Sequence, residues 1–158
     1  MIKKSLPFEC ARCASHAPEE FFYFEPTDTW IIIFVEDRLI HVHFGKATAS
    51  AEESTTETTF LHDHTTAWVQ ANHPGISFCG VIDVSRADDS ELPSDEAVEL
   101  YKKILSHEQN GITVFYGMTP SMRFFVGMLT HLIKDGKRIH LATTADEAEA
   151  EYKTWLAK

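Results

Sequence analysis

Basic residues are scarce in this sequence: 14 Lys and Arg face 24 Asp and Glu, a formal charge of −10 over 158 residues. That balance argues against nucleic acid or an anionic membrane as a partner, since both attract cationic surfaces. The one dense basic spot is Lys134 to Arg138. Long apolar runs are missing as well. The longest, Trp30 to Val35, falls far short of the ~20 residues that cross a bilayer, and the opening MIKKSLPFEC has no apolar run of signal-peptide length. Neither membrane insertion nor export is expected. Cysteine is sparse and odd in number, at three, which without a secretory signal points to reduced thiols in a cytoplasm. No nucleophile motif, glycine-rich phosphate loop or spaced carboxylate pair is visible, so an enzyme is the weakest of the functional classes.

What is present describes an ordinary globular domain, 44% hydrophobic and 24% charged. A chain of this length buries roughly 70% of its unfolded surface and needs no metal or disulfide for stability. Residues 1 to 20 lack a clear period and read as an N-terminal arm or tail; residues 21 to 158 read as one domain. The arm carries Cys10, Cys13 and His16 at steps of three. Two thiolates at that spacing can reach one tetrahedral Zn²⁺, with His16 as a third ligand and a fourth from elsewhere. The plainer reading is a tail with two inert cysteines; a redox dithiol lacks the preceding strand it would need.

From Phe21 the chain turns strongly β. Trp30 to Val35 is a nearly unbroken β-branched and aromatic run, Glu36 to Arg38 a turn, and Leu39 to Phe44 alternates, so an antiparallel hairpin is expected. His41 and His43 share one strand face and could share a metal, but a solvated face, with Ile40, Val42 and Phe44 turned inward, is the simpler expectation. Ser50 to Asn72 predicts one helix, weakened by six threonines between Thr55 and Thr66. Ile76 to Ser85 predicts a central parallel strand leading into an acidic loop that contains Asp88 and Asp89. Ser94 then caps a helix whose inner stripe is Ala97, Val98, Tyr101, Ile104 and Leu105.

Gly111 to Thr143 is the clearest punctuation in the chain: strand, Gly117 turn, Thr119 cap, Pro120 at the first helical position, Asp135-Gly136 stop and another strand. Phe124, Met128 and Leu132 make its helix more apolar than one sheet contact requires. They either pack under a neighbouring element or form a contact surface for a partner. Thr144-Ala-Asp-Glu147 opens the last helix, with Ala148, Tyr152, Trp155 and Leu156 on its inner side. The expected fold is α/β: a mixed sheet with an N-terminal antiparallel hairpin and three parallel strands, helices alternating with strands.

The stretches VIDVSRADDSELPSDEAVELYKKIL, ITVFYGMTPSMRFFVGMLTHLI and KRIHLATTADEAEAEYKTWL resemble the STAS domain of anti-sigma-factor antagonists and related sporulation-antagonist-like domains. The resemblance spans about residues 30 to 157. It implies a non-enzymatic cytoplasmic module that binds another protein, or a second copy of itself, often under phosphorylation at the start of a helix. Ser94 is the corresponding position. The family's Asp-Ser-Ser-Gly signature is replaced here by Leu92-Pro-Ser-Asp95, and the loop is already acidic, so Ser94 as a plain N-cap competes with Ser94 as a phospho-switch. The alternative class is a ligand-binding domain for a small apolar molecule or for zinc at Cys10, Cys13 and His16.

Overall fold

The Trp30-to-Val35 run forms most of the second strand of a six-stranded sheet in the computed structural model, which describes residues 9–87 and 93–158. The strands are β1 (Glu20–Phe24), β2 (Thr29–Phe34), β3 (Leu39–His43), β4 (Phe78–Asp83), β5 (Asn110–Tyr116) and β6 (Ile139–Leu141), laid side by side in chain order. β1, β2 and β3 pair antiparallel, and β3 to β6 pair parallel. The fold is thus α/β with a mixed sheet, as expected, and the aromatic stretch after Glu19 adds a third antiparallel strand to the hairpin. The helices are α1 (Ala11–Ser15), α2 (Ala51–His64), α3 (Thr66–Asn72), α4 (Asp95–Ser106), α5 (Pro120–Leu132) and α6 (Ala145–Leu156).

Alternation along the strands sorts side chains into two layers. On one face Ile32, Phe34, Leu39, Val81 and Val114 pack with Cys13 of α1 and with Ala148 and Tyr152 of α6. On the other, Ile31, Ile33, Ile40 and Val42 pack with Leu61 of α2 and Val69 of α3, and Phe115 packs with Leu105 of α4 and Leu129 of α5. β2 and β3 are covered on both sides, which is why β2 is apolar almost throughout.

The four helix caps fall where the sequence puts them. Ser50, Ser94, Thr119 and Thr144 each accept the backbone N–H three residues on, from Glu53, Ala97, Met122 and Glu147. Each such cap stabilises its helix by about 1 kcal/mol. Ser50 to Asn72 is not one helix but two, because the backbone at Thr65 leaves the helical region (φ −121°, ψ −79°). The threonines are the physical reason: Thr55, Thr56, Thr58, Thr59 and Thr65 all donate their hydroxyls to the carbonyl four residues back. That bond competes for the helix's own acceptors and bends it.

Two other expectations change. Leu156 faces outward, while Trp155 packs over Gly111, where a side chain would collide with the indole. On α5, Phe125, Val126 and Leu129 are buried, whereas Phe124 (74%), Met128 (40%) and Leu132 (48%) are exposed. The surplus apolar surface does not tuck under a neighbour. No helix among the described residues is long and apolar enough to cross a membrane.

Candidate metal centre

β3 is the strand on which the antiparallel and parallel halves of the sheet meet. Its alternation sends Ile40 and Val42 to the α2–α3 side and His41 and His43 to the α1–α6 side. The second face is not solvated, contrary to the sequence expectation: α1 lies on it, and His41 (5%) and His43 (0%) are buried. A buried imidazole needs a partner for each polar nitrogen. Here Cys10 and Cys13 of the N-terminal segment meet His41 Nδ1 and His43 Nε2, and Asp83 of β4 meets His43 Nδ1.

Cys10 is the N-cap of α1 and Cys13 lies within its first turn, so both sulfurs face the sheet. The Cys13 backbone N–H donates to the Cys10 sulfur at 3.4 Å. Five residues cannot sustain a helix alone, and Arg12 supplies much of what holds this one. Its guanidinium forks onto Glu149 of α6 at 3.2 and 2.7 Å, reaches Asp37 of the β2–β3 turn at 3.2 Å, and stacks near the rings of Phe34 and Tyr152. The Tyr152 hydroxyl donates to the Asp37 carbonyl at 2.6 Å, completing the clamp.

The ligand atoms of Cys10, Cys13, His41 and His43 all lie within 4.8 Å of one another. Cys10 Sγ is 3.5 Å from His41 Nδ1, Cys13 Sγ is 3.8 Å from the same nitrogen and 3.6 Å from His43 Nε2, and the two nitrogens are 3.4 Å apart. A tetrahedral zinc ion with bonds of about 2.3 Å to sulfur and 2.05 Å to nitrogen requires S···N edges of about 3.6 Å and an N···N edge of about 3.3 Å. The three S···N edges and the one N···N edge given above match those values. Two thiolates and two imidazoles at tetrahedral spacing suit zinc better than oxygen-seeking magnesium or calcium.

The surroundings complete the set. His43 Nδ1–H donates to Asp83 Oδ2 at 2.8 Å, which turns the Nε2 lone pair toward the sulfurs. Asp83 is itself held by the Ser85 backbone N–H at 2.9 Å and the Ser85 hydroxyl at 2.6 Å. A carboxylate holding the far nitrogen of an imidazole is the usual way a protein orients a metal-ligating histidine. A hydrogen bond from Cys13, reinforced by His41 and His43, holds the Cys10 thiol far below its ordinary value, while the same pairing and burial raise Cys13. Burial lowers His41 and so favours the neutral, ligating imidazole.

His16, proposed from sequence as a third ligand with Cys10 and Cys13, lies outside the cluster. It follows α1, is exposed, and shares a 2.7 Å hydrogen bond with the Ser15 hydroxyl. The three-residue step fails because α1 ends at Ser15 and the chain turns extended at His16. His41 and His43 take its place. The sequence offered Cys10, Cys13 and His16 as one candidate set and His41 and His43 as another; the meeting of Cys10 and Cys13 with the two histidines depends on α1 docking, for which residues 1 to 20 offer no periodic signal.

The remaining sequence candidates sit elsewhere. Ser94 caps α4, accepting the Ala97 N–H at 3.1 Å, and its hydroxyl lies 2.7 Å from that of Thr55 on α2. Asp88 and Asp89 lie outside the described residues. Phe124 and Met128 are exposed on α5, whose buried side packs on the sheet face opposite His41 and His43. Comparison of the chain with family models, curated proteins and solved structures finds no match.

Proposed function

We propose that this chain is a non-catalytic, STAS-like binding module whose N-terminal segment is locked onto the sheet by one zinc ion at Cys10, Cys13, His41 and His43. The observation that carries the reading is the tetrahedral spacing of those four donors. Four protein ligands leave the ion no position for water or substrate, so its contribution is to folding and not to hydrolysis. Thiolate ligation of this kind suits a reducing cytoplasm.

The module's contact surface is the outer stripe of α5. Phe124, Met128 and Leu132 are spaced by four, share one helix face and are all exposed. The partner is another protein or a second copy of the chain, reached through that stripe. Ser94 acts in this reading as a cap that ties α4 to α2, and phosphorylation there would break both contacts.

Elemental analysis of untagged protein purified without added metal tests the zinc part. One zinc per chain is expected in the wild type and less than a tenth of that in a Cys13→Ser, His43→Gln double variant. Wild-type protein free of zinc and unable to take it up would end this reading. The surface part is tested by sedimentation and co-purification of wild type beside a Phe124→Ser, Met128→Ser variant, which should keep its zinc and lose self-association or a specific partner.

A further inference from the structure

Behind β3, on the sheet face opposite the metal ligands, a cavity of about 80 Å³ lies beneath α2, α3 and α4. Its origin is legible in the chain. Phe78, Gly80 and Ile82 point to this layer from β4, and Gly80 has no side chain to fill the space between its neighbours. The break between α2 and α3 passes over the same spot, with Thr65 and Val69 in the wall. A Cβ built on Gly80 would meet nothing closer than 3.7 Å, so the absence of a side chain there is not forced by crowding, and the backbone is not left-handed.

The lining is overwhelmingly apolar, and no Asp, Glu, Lys or Arg takes part in it among the described residues. Several of the polar groups at its edge are already committed, His107 Nδ1 among them, which accepts the Gln109 backbone N–H at 3.2 Å. Gln109 Nε2 donates to the carbonyls of His73 and Ile76 at 2.7 and 3.0 Å, Asn110 Nδ2 donates to the Leu105 carbonyl at 2.9 Å, and the Thr113 hydroxyl donates to Asn110 Oδ1 at 2.9 Å. Thr65 spends its hydroxyl on the Leu61 carbonyl at 2.7 Å. A pocket with such walls offers dispersion and desolvation but no carboxylate, ammonium or guanidinium to anchor a charge, and suits small apolar molecules.

We infer that this cavity is a binding site for a small uncharged apolar molecule, or for the short aliphatic end of a larger one, seated over Gly80. The site is independent of the zinc reading, since its walls come from Ile40, Val42 and the helices and none of the four metal ligands contributes to it.

The test uses the zinc-loaded protein and 1-butanol as probe, with n-butylammonium as the charged control of equal length. Methyl NMR of wild type should show saturable shifts confined to Ile40, Leu61, Val69 and Ile82, with butylammonium at least tenfold weaker. Gly80→Val, which places two methyls in the space, should abolish the shifts while zinc content stays unchanged. Gly80→Ala, the gentler change, should weaken binding several-fold and serves if the valine variant does not fold. Absence of saturable shifts, equal binding of both probes, or unchanged binding in the alanine variant would overturn the inference. Zinc content measured on the same samples separates this outcome from failure of the metal reading.

Discussion

β3 presents His41 and His43 to the layer of α1 and α6, and Ile40 and Val42 to the layer of α2 to α5; α1 and the α2–α5 helices are held to the sheet by different physics. On the α2–α5 side, three capped helices of 14, 12 and 13 residues and the seven-residue α3 bury Leu61, Val69, Leu105, Phe125, Val126 and Leu129 against the sheet. Burial stabilises such a layer by about 25 cal/mol per Å² of apolar surface, spread over many residues. The α1 side has a five-residue helix with one buried apolar residue, Cys13, and depends on specific bonds: the Arg12 fork, the Tyr152 hydroxyl and the polar contacts of Cys10 and Cys13 with His41 and His43. Diffuse burial tolerates single losses. Concentrated bonding does not, and the two sides should therefore fail differently when each is damaged.

The largest contrast comes from removing one residue per layer. Cys13→Ser should cost on the order of 4 kcal/mol and lower the melting temperature by about 10 °C, abolish zinc uptake, and leave a protein whose melting no longer responds to a chelator. Leu61→Ala, on the other face, should cost about 2–4 kcal/mol through lost burial and a residual void, yet keep one zinc per chain and the full chelator response. Calorimetry of both variants with and without chelator reads the difference. Equal chelator responses would show that the layers are not held independently.

A pH series sharpens the description of the helix layer. Glu57 of α2 is buried, with its carboxylate accepting the hydroxyls of Thr27 and Thr29. Burial pushes it up to about 7, and the two hydroxyls only partly oppose that rise. Between about pH 4.5 and 7 the folded chain keeps a proton there that the unfolded chain has released, so this group's contribution to stability falls as pH rises through that window. Glu57→Gln should remove the slope, gaining on the order of 2–3 kcal/mol relative to wild type between pH 5 and 8. Denaturant midpoints at fixed pH values, taken as the difference between the two proteins, check this; a flat difference contradicts it.

The smallest effect should come from Ser94→Ala. Loss of the α4 cap and of the contact with Thr55 should cost about 1 kcal/mol in denaturant unfolding without touching zinc content.

Much of the helix layer was legible in the sequence because local rules govern it. Ser50, Ser94, Thr119 and Thr144 announce their helices by cap chemistry, and Phe125 and Leu129 announce a buried face by period. Where side-chain hydrogen bonds or the run-out of an element overrule the expected pattern, reading failed. The split at Thr65 follows from threonine hydroxyls choosing helix carbonyls, and the outward turn of Leu156 follows from where α6 ends. The metal side was legible only in halves. Cys10 and Cys13 are close in the chain, as are His41 and His43, but the contact between the pairs spans 28 to 31 residues and rests on a segment too short to show periodicity. A useful signal was present nonetheless: β3 pairs with β2, whose unbroken apolar run predicts cover on both faces, and two histidines on the second face of the neighbouring strand then call for buried partners.

X-ray absorption at the zinc edge, recorded on protein as purified, tests the central claim most directly. The account predicts two sulfur scatterers at about 2.3 Å and two nitrogen scatterers at about 2.05 Å, with imidazole outer-shell features and no bound water. A first shell dominated by oxygen, or one unchanged in the Cys13→Ser, His43→Gln variant, would contradict it.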